Sequence, residues 1–460
     1  MPLKRNYFGT DGIRGAFGGA VINEAFFASL GSAAGEWAGG RGSVLVGWDT
    51  RSSGGDLALA AAAGFRRAGL SVRLLGVVPT PAVAHAVRSA NAALGAMVTA
   101  SHNPASDNGI KFFRPDGRKL SDDDEGRIEA LLEAKGSGRE FCTPAKGVAP
   151  QLVNEINKLR RDPFTPFAPE FFADYIAATS RLLPPDSLRG MRIVLDTANG
   201  ATCATSPVVL HALGADVIPM GNAPDGRNIN AGVGSEHPER LSETVLSSGA
   251  RIGVAHDGDG DRCVLCDEKG GILDGDEILA VLAVHALGRG ELADGKLVVT
   301  VQSNLGLDAA VRAAGGRVIR TAVGDRYVVE RMLVEGATLG GESSGHVVFS
   351  RISASGDGLV TALKVIEVML AAGRPLSELR RILRKFPQAA ESVPVTEVQP
   401  LEKMPALLAA IDALETELGS RGRVLVRYSG TEPKLRLLVE GPTEEIVRAG
   451  LARLKSAAVS

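Results

Sequence analysis

Aromatic side chains make up only 4% of this chain, so its cores must rest on Val, Leu, Ile and Ala within a 45% hydrophobic content. Cysteine is also scarce: four in 460 residues exclude a disulfide framework. Cys263 and Cys266 form a CxxC, but in the strand expected there positions i and i+3 face opposite sides, and Cys142 and Cys203 are scattered. Buried free thiols are the expectation. Charge of one sign is lacking too. With 51 Lys and Arg against 53 Asp and Glu the formal net charge is -2, and no basic tract or aromatic platform invites nucleic acid. No apolar run approaches membrane-spanning length, and 278–284 reads as part of a buried helix. The opening residues Met1 to Tyr7 lack the apolar centre of a signal peptide, so a cytoplasmic location is expected.

Glycine, by contrast, is plentiful: the 56 glycines fall between periodic segments, which suggests tight turns and strand–helix junctions rather than disorder. A helix is expected over 23–38. After it an internal repeat emerges. Residues 43–49 read as a buried strand ending in a polar turn, 57–68 as a helix and 69–76 as the next strand. The same order returns at 192–196, 207–213 and 214–218, and again at 296–300, 307–314 and 316–319. Three copies predict three similar α/β domains with mixed, largely parallel sheets between helices. A strand over 393–398, a helix over 405–418, strands over 423–427 and 435–439 and a helix over 443–454 predict a smaller C-terminal α+β domain. The irregular, proline- and lysine-containing stretch 141–169 marks the first boundary and 371–375 a hinge, giving domains at 1–155, 156–255, 256–372 and 373–460.

Five loops hold the chemistry. The apolar run 93–98 reads as a strand ending at Ser101, which lies between Ala100 and His102 and is followed by Asn103-Pro104, a stop to regular structure. Asp107-Asn108-Gly109 then predicts a tight turn into a strand over 110–113 that carries Lys111. Ser101 in this setting reads either as a turn residue bonded to backbone or as a nucleophile or phosphate carrier. Gly9 to Gly15 is a glycine-spaced loop with Asp11 and Arg14, open to a phosphate or to a structural turn. Asp257, Asp259 and Asp261 alternate with glycine before Arg262, a pattern that can curl around one hard cation. A calcium EF-hand is excluded, because Arg262 occupies the position that must be glycine and strands flank the loop. Gly341-Glu342-Ser343-Ser344-Gly345 has the spacing of a hydrolase elbow, but the required histidine after an acid is missing; Glu342, Ser344 and His346 suit sugar hydroxyls instead. Residues 290–296 imitate a nucleotide-binding loop, but Leu297 stands where Ser or Thr is needed. Finally, Arg427, Ser429, Gly430, Thr431, Lys434 and Arg436 combine directional donors with cations, as a phosphate monoester requires.

These stretches, in this order and over essentially the whole chain, resemble the α-D-phosphohexomutase superfamily, and within it the bacterial phosphoglucosamine mutases. Phe8 to Gly15, Asn228 to Asn230, Val323 to Val328, the loop Gly340 to His346 and Ser355 to Gly358 support that choice. Three departures stand out: Ser343 replaces a frequent glutamine, Trp48 stands where a charged residue is common, and 141–169 is long. The resemblance implies four domains around a central cleft and an intramolecular phosphotransferase. Ser101 would be carried as phosphoserine, and its phosphate would join Asp257, Asp259 and Asp261 on Mg²⁺. Arg14, His102, Lys111, Arg262 and His346 would surround the transferring group, with Lys111 or His346 as general base. Glu342 and Ser344 would grip the sugar, while Arg427, Ser429, Gly430, Thr431 and Arg436 would hold the phosphate that is not reacting. The implied reaction interconverts glucosamine 6-phosphate and glucosamine 1-phosphate through a 1,6-bisphosphate, with hexosamine or glucose 1,6-bisphosphate as activator. A phosphomannomutase/phosphoglucomutase is the alternative within the class, and a metal-dependent sugar phosphatase the alternative outside it. The implied partner is a phosphosugar, not nucleic acid or membrane, and a homodimer is compatible with it.

Overall fold

The structure is a computed structural model that describes residues 5–134, 168–395, 399–428 and 434–459. The first sheet contains β1 (Ile13–Ala16), β2 (Ser43–Trp48), β3 (Ser71–Val77), β4 (Leu94–Val98) and β5 (Asp107–Phe113), in the order β1-β5-β4-β2-β3. β2 runs parallel to β3 and to β4, and β5 returns antiparallel to β4. The second sheet repeats the plan with β6 (Arg192–Asp196), β7 (Asp216–Met220), β8 (Ile252–His256), β9 (Cys263–Asp267) and the short β10 (Ile272–Leu273), in the order β10-β9-β8-β6-β7. In the third, β11 (Lys296–Thr300) is parallel to β12 (Arg317–Thr321) and β13 (Leu339–Gly341), and β14 (Val347–Phe349) returns antiparallel to β13. Each copy thus has three parallel strands and an antiparallel fourth. The last sheet is antiparallel throughout: β15 (Gln388–Pro394), β16 (Arg423–Tyr428) and β17 (Lys434–Glu440), in the order β15-β17-β16.

The scarcity of aromatics shows in the packing. Helix Glu24–Trp37 lies so close to helix Gly54–Arg67 that a Cβ on Gly64 would sit 2.0 Å from Ala28 O, and one on Gly31 2.3 Å from Ala61 O. Alanine and glycine faces, not large rings, set that spacing. One apolar core runs from Leu45 and Val83 through Leu195 and Leu265 to Val299 and Leu363, so the first three sheets share an interior. The fourth unit has its own, around Leu407, Leu437, Val439 and Leu454. Residues 278–284 do lie in a buried helix, Gly275–Gly288, and no helix among the described residues is long and apolar enough to cross a membrane.

Several expectations need correction. Asp107, Asn108 and Gly109 are not a turn but the start of β5, paired with Ala16, Gly15 and Arg14 of β1. Gly109 serves that close pairing: a Cβ there would meet Ile13 O at 2.3 Å and Thr99 O at 2.7 Å. The division expected at 255/256 falls within the β8–β9 hairpin, because the second sheet continues through β10. β15 begins at Gln388, earlier than the strand expected over 393–398. Helices Thr80–Ser89 and Pro169–Ser180 were not anticipated; proline in the first turn of each fits a helix start. The boundary stretch 141–169 lies, but for Ala168 and Pro169, outside the described residues, as does Cys142.

Candidate active site

The chemistry sits at one corner of the repeated unit, the loop where the third parallel strand gives way to the antiparallel fourth. Between β4 and β5 this loop carries Ser101; between β8 and β9, Asp257 to Arg262; between β13 and β14, Glu342 to His346. Carboxyl ends of parallel strands are where such sheets bind ligands. Here the three loops meet. Ser101 Oγ donates to Asp257 Oδ2 at 2.5 Å, and Cys263 N donates to Gly345 O at 3.0 Å.

Ser101 is buried and adopts a left-handed backbone, φ 52°, with His102 Nδ1 at 3.4 Å from its hydroxyl. Burial, aided by Arg262 and Arg14, pushes His102 down to about 4, so the ring is neutral at pH 7. Asp257, Asp259 and Asp261 are buried, and each offers a carboxylate oxygen within 4.8 Å of the other two. Burial and the two neighbouring carboxylates push Asp257 well above the usual carboxylate range. Asp259 Oδ1 is buried without a hydrogen-bond partner. Three buried carboxylates with a spare oxygen are a donor set that fits a hard divalent cation. Thr80, at the start of its helix in the first unit, grips this cluster through Oγ1 to Asp259 Oδ2 at 2.5 Å and N to Asp259 O at 2.8 Å.

Cations compensate the acids. Lys111 Nζ lies 2.7 Å from Asp259 Oδ2, 3.0 Å from Asp261 Oδ2 and 3.4 Å from Asp11 Oδ2. Burial lowers its pKa, but Asp11, Asp259 and Asp261 outweigh it and hold the ammonium well above the ordinary lysine range. Asp11 also pairs with Arg14 and, at 2.5 Å, with Lys119, which reaches on to Asp325. His346 Nε2 stands 3.3 Å from Asp325 Oδ2 and accepts the Gly356 N–H at 3.0 Å. Arg262 N donates to Asp257 Oδ1 at 3.2 Å, and its guanidinium lies 3.5 Å from Glu236. Arg14 and His102 face a cavity of about 610 Å³ together with Arg5, Asp11 and Asn103.

The structure therefore brings Ser101, His102, Lys111, Arg14, Arg262 and His346 into one group with the three aspartates. In the sugar-type loop, Glu342 Oε1 accepts the Gly324 N–H at 3.1 Å and burial raises its carboxyl, while Ser344 Oγ is buried without a partner. Arg427 and Arg436 stand directly opposite each other on β16 and β17. Burial and the facing Arg436 both lower the Arg427 pKa. None of the described hydrogen bonds or ion pairs ties Arg427 to the Ser101 group, and Ser429, Gly430 and Thr431 lie outside the described residues. Cys263 and Cys266 are free and buried in β9, with burial raising Cys263 and pushing Cys266 up to about 12. Thr80, Lys119 and Asp325 escaped notice as site residues. Asp325 sits in a stretch that carried the resemblance, but Thr80 and Lys119 have no local pattern to mark them.

One fold unit used three times, each donating the same loop to a common site, is the construction of a phosphohexomutase, an isomerase that moves a phosphoryl group within one sugar. Phosphoglucomutase/phosphomannomutase family models match in succession: alpha/beta/alpha domain I over residues 5–139, domain II over 170–271, domain III over 274–386 and the C-terminal domain over 392–456. The phosphoglucosamine mutase of Halorhodospira halophila is 44% identical over 446 residues, 96% of this chain and 94% of its own. That of Alkalilimnicola ehrlichii is 45% identical over 450 residues, 97% of this chain and 96% of its own. A crystal structure of a phosphoglucomutase/phosphomannomutase family protein from Burkholderia thailandensis superposes with a TM-score of 0.76 at 25% identity, covering 98% of this chain and 96% of that one. The chain belongs to the phosphoglucosamine mutase family.

Proposed function

We propose that this chain interconverts glucosamine 6-phosphate and glucosamine 1-phosphate, with Ser101 as the phosphoryl carrier. The sugar follows the relatives at about 44% identity, and the observation that carries the Ser101 role is its 2.5 Å contact with Asp257, which puts a hydroxyl at the edge of a buried carboxylate cluster. Phosphoserine 101 gives its phosphoryl group to the free hydroxyl of the bound sugar phosphate: the Ser101 Oγ–P bond breaks and a sugar O–P bond forms. The resulting 1,6-bisphosphate turns over within the site and returns its other phosphoryl group to Ser101. Asp257, Asp259 and Asp261 would hold Mg²⁺ together with the Ser101 phosphate, and the ion would supply Lewis-acid neutralisation of the phosphoryl charge. Arg14, Lys111 and Arg262 bring fixed positive charge to the same place, as a phosphoryl transfer that depends on positioning and neutralisation requires. Of the two side chains expected to take the hydroxyl proton, Lys111 is already held as an ammonium by Asp11, Asp259 and Asp261, which leaves that role to His346. Glu342 and Ser344 grip the sugar hydroxyls. Arg427 and Arg436, with Ser429, Gly430 and Thr431, hold the distal phosphate. Hexosamine or glucose 1,6-bisphosphate primes Ser101, and the enzyme works in the cytoplasm, supplying amino-sugar phosphate for cell-wall precursors.

The test is turnover of glucosamine, N-acetylglucosamine, glucose and mannose phosphates side by side, with glucose 1,6-bisphosphate present. Preference for the glucosamine phosphates supports the reading; preference for glucose or mannose phosphates overturns the sugar assignment.

A further inference from the structure

Behind the reacting atoms, the peptide of Ser101 is held at both ends by a buried network that starts from one carboxylate, Asp49. On one side Asp49 Oδ2 accepts from Thr99 Oγ1 at 2.6 Å, and Thr99 Oγ1 in turn accepts the Ser101 N–H at 2.9 Å. On the other, Arg51 Nε donates to Asp49 Oδ2 at 3.0 Å, and its Nη2 donates to Ser101 O at 3.0 Å and Asn103 O at 2.8 Å. Arg51 Nη1 reaches Asp107 O at 2.9 Å and also Pro104 O, so one guanidinium fork binds three carbonyls of the loop and the first of β5. The side chains of Asp49 and Arg51 are fully buried.

A second donor arrives from the neighbouring unit. Asn230 Nδ2 donates to Ser101 O at 2.8 Å and Asn103 O at 3.0 Å, the same two carbonyls that Arg51 Nη2 holds. Two further contacts fasten the units beside it: Thr50 Oγ1 to Asn199 O at 2.6 Å, and Ser52 N to Gly226 O at 2.9 Å. The grip is needed because Ser101 is in a left-handed conformation, which a serine keeps only when its surroundings hold it there. Neither Arg51 nor Asn230 touches the Ser101 hydroxyl. Both fix the carbonyl, and with it the direction in which the hydroxyl points at Asp257.

We propose that Asp49, Arg51 and Asn230 are positioning residues for phosphoryl transfer. They set the aim of Ser101, and Asn230 makes that aim depend on the contact between the first and second units. The proposal rests on Ser101 being the phosphoryl carrier. It follows from the steep distance dependence of such a step: a displacement near 1 Å costs about a hundredfold in rate.

The test uses the full-length protein and the variants Asn230→Ala, Asn230→Asp and Arg51→Lys. Asparagine and aspartate have the same shape, but aspartate turns an acceptor toward two carbonyls. Intact mass reports phosphate on Ser101 after treatment with glucose 1,6-bisphosphate, thermal unfolding gives Tm, and turnover of glucosamine 1-phosphate gives kcat and KM. All three variants should carry phosphate and keep KM within about twofold, while kcat falls about tenfold in Asn230→Ala and Arg51→Lys and further in Asn230→Asp. Wild-type kcat in Asn230→Ala, or kcat losses that rank with Tm and not with the polarity at position 230, would overturn the proposal. If wild-type protein took up no phosphate and Ser101→Ala stayed active, the carrier reading itself would fall. Phosphoserine intact with unchanged Asn230 variants removes the positioning role alone.

Discussion

Ser101 and Asp257 lie 156 positions apart in sequence, yet the serine hydroxyl donates to the aspartate at 2.5 Å, because each stands just past the third parallel strand of its own copy of one sheet plan. The repeat thus does more than supply scaffold. It brings equivalent corners together, so that one copy presents Ser101, the next the three aspartates and the third the loop Glu342 to His346.

Ser101→Ala should therefore leave the fold intact and abolish mutase turnover. The hydroxyl is a donor to Asp257 and not part of an apolar core, so the change in stability should be about 1 kcal/mol. Intact-protein mass should show a phosphate on the wild type that this variant lacks. A variant with near-normal rate removes Ser101 as carrier.

Asp259→Asn separates the cation cluster from the carrier. Asp259 Oδ2 already binds Thr80 and Lys111, while Oδ1 has no partner. An amide is a poorer ligand for a hard cation than a carboxylate, so kcat should fall roughly a hundredfold. Sugar-phosphate binding should persist, and more Mg²⁺ should be needed to reach the remaining rate. Chelation of wild-type enzyme should stop turnover, and Mg²⁺ should restore it. An unchanged Mg²⁺ requirement in the variant takes Asp259 out of the site.

Much of this was readable in the sequence because each loop concentrates its chemistry in a few adjacent residues after an apolar strand. The alternating aspartates and the Glu342 to His346 stretch needed no tertiary information to be noticed. Thr80 and Arg51 were not legible in that way, and Asn230 stood only in a stretch that carried the resemblance. Their roles come from contacts made across the fold, such as Thr80 with Asp259. The Asp107-Asn108-Gly109 turn misled for a related reason. Asn-Gly favours a hairpin locally, but β1, a strand from near the start of the chain, pairs with those residues. Pairing with a distant strand overrides a local turn preference.

Asp357 provides a test by pH. It caps helix Gly358–Ala372 through Val360 N at 3.0 Å and accepts from Tyr175 OH at 3.0 and 3.1 Å. Burial pushes its carboxyl up to about 6, against 3.8 ordinarily. Between those values the folded protein binds more protons than the unfolded chain, so Asp357 lowers stability as pH rises from about 4 to about 6. The loss is complete above that window and amounts to about 3 kcal/mol. Asp357→Asn keeps an acceptor for Val360 and Tyr175 and removes the titration. Its unfolding free energy should fall less between pH 4 and 6 than that of the wild type, which denaturant titrations at several pH values would show. Parallel curves would exclude Asp357 as the titrating group.

The fourth unit is where a mutase and a sugar phosphatase part, since only a mutase must hold both ends of a bisphosphate. Arg427 faces Arg436 across β16 and β17, and its guanidinium pKa is lowered by burial and by that neighbour. Arg427→Ala should remove a charge-assisted contact worth roughly 1.5–3 kcal/mol. Ser101 and the aspartates are untouched, so phosphoserine should still form and still donate. A weaker hold during reorientation should let the 1,6-bisphosphate escape. The variant should then release free bisphosphate, raise KM for glucosamine 1-phosphate about tenfold or more, and depend more steeply on added bisphosphate. Unchanged KM with no bisphosphate in the medium would refute the clamp, and with it the main structural ground for a mutase over a phosphatase.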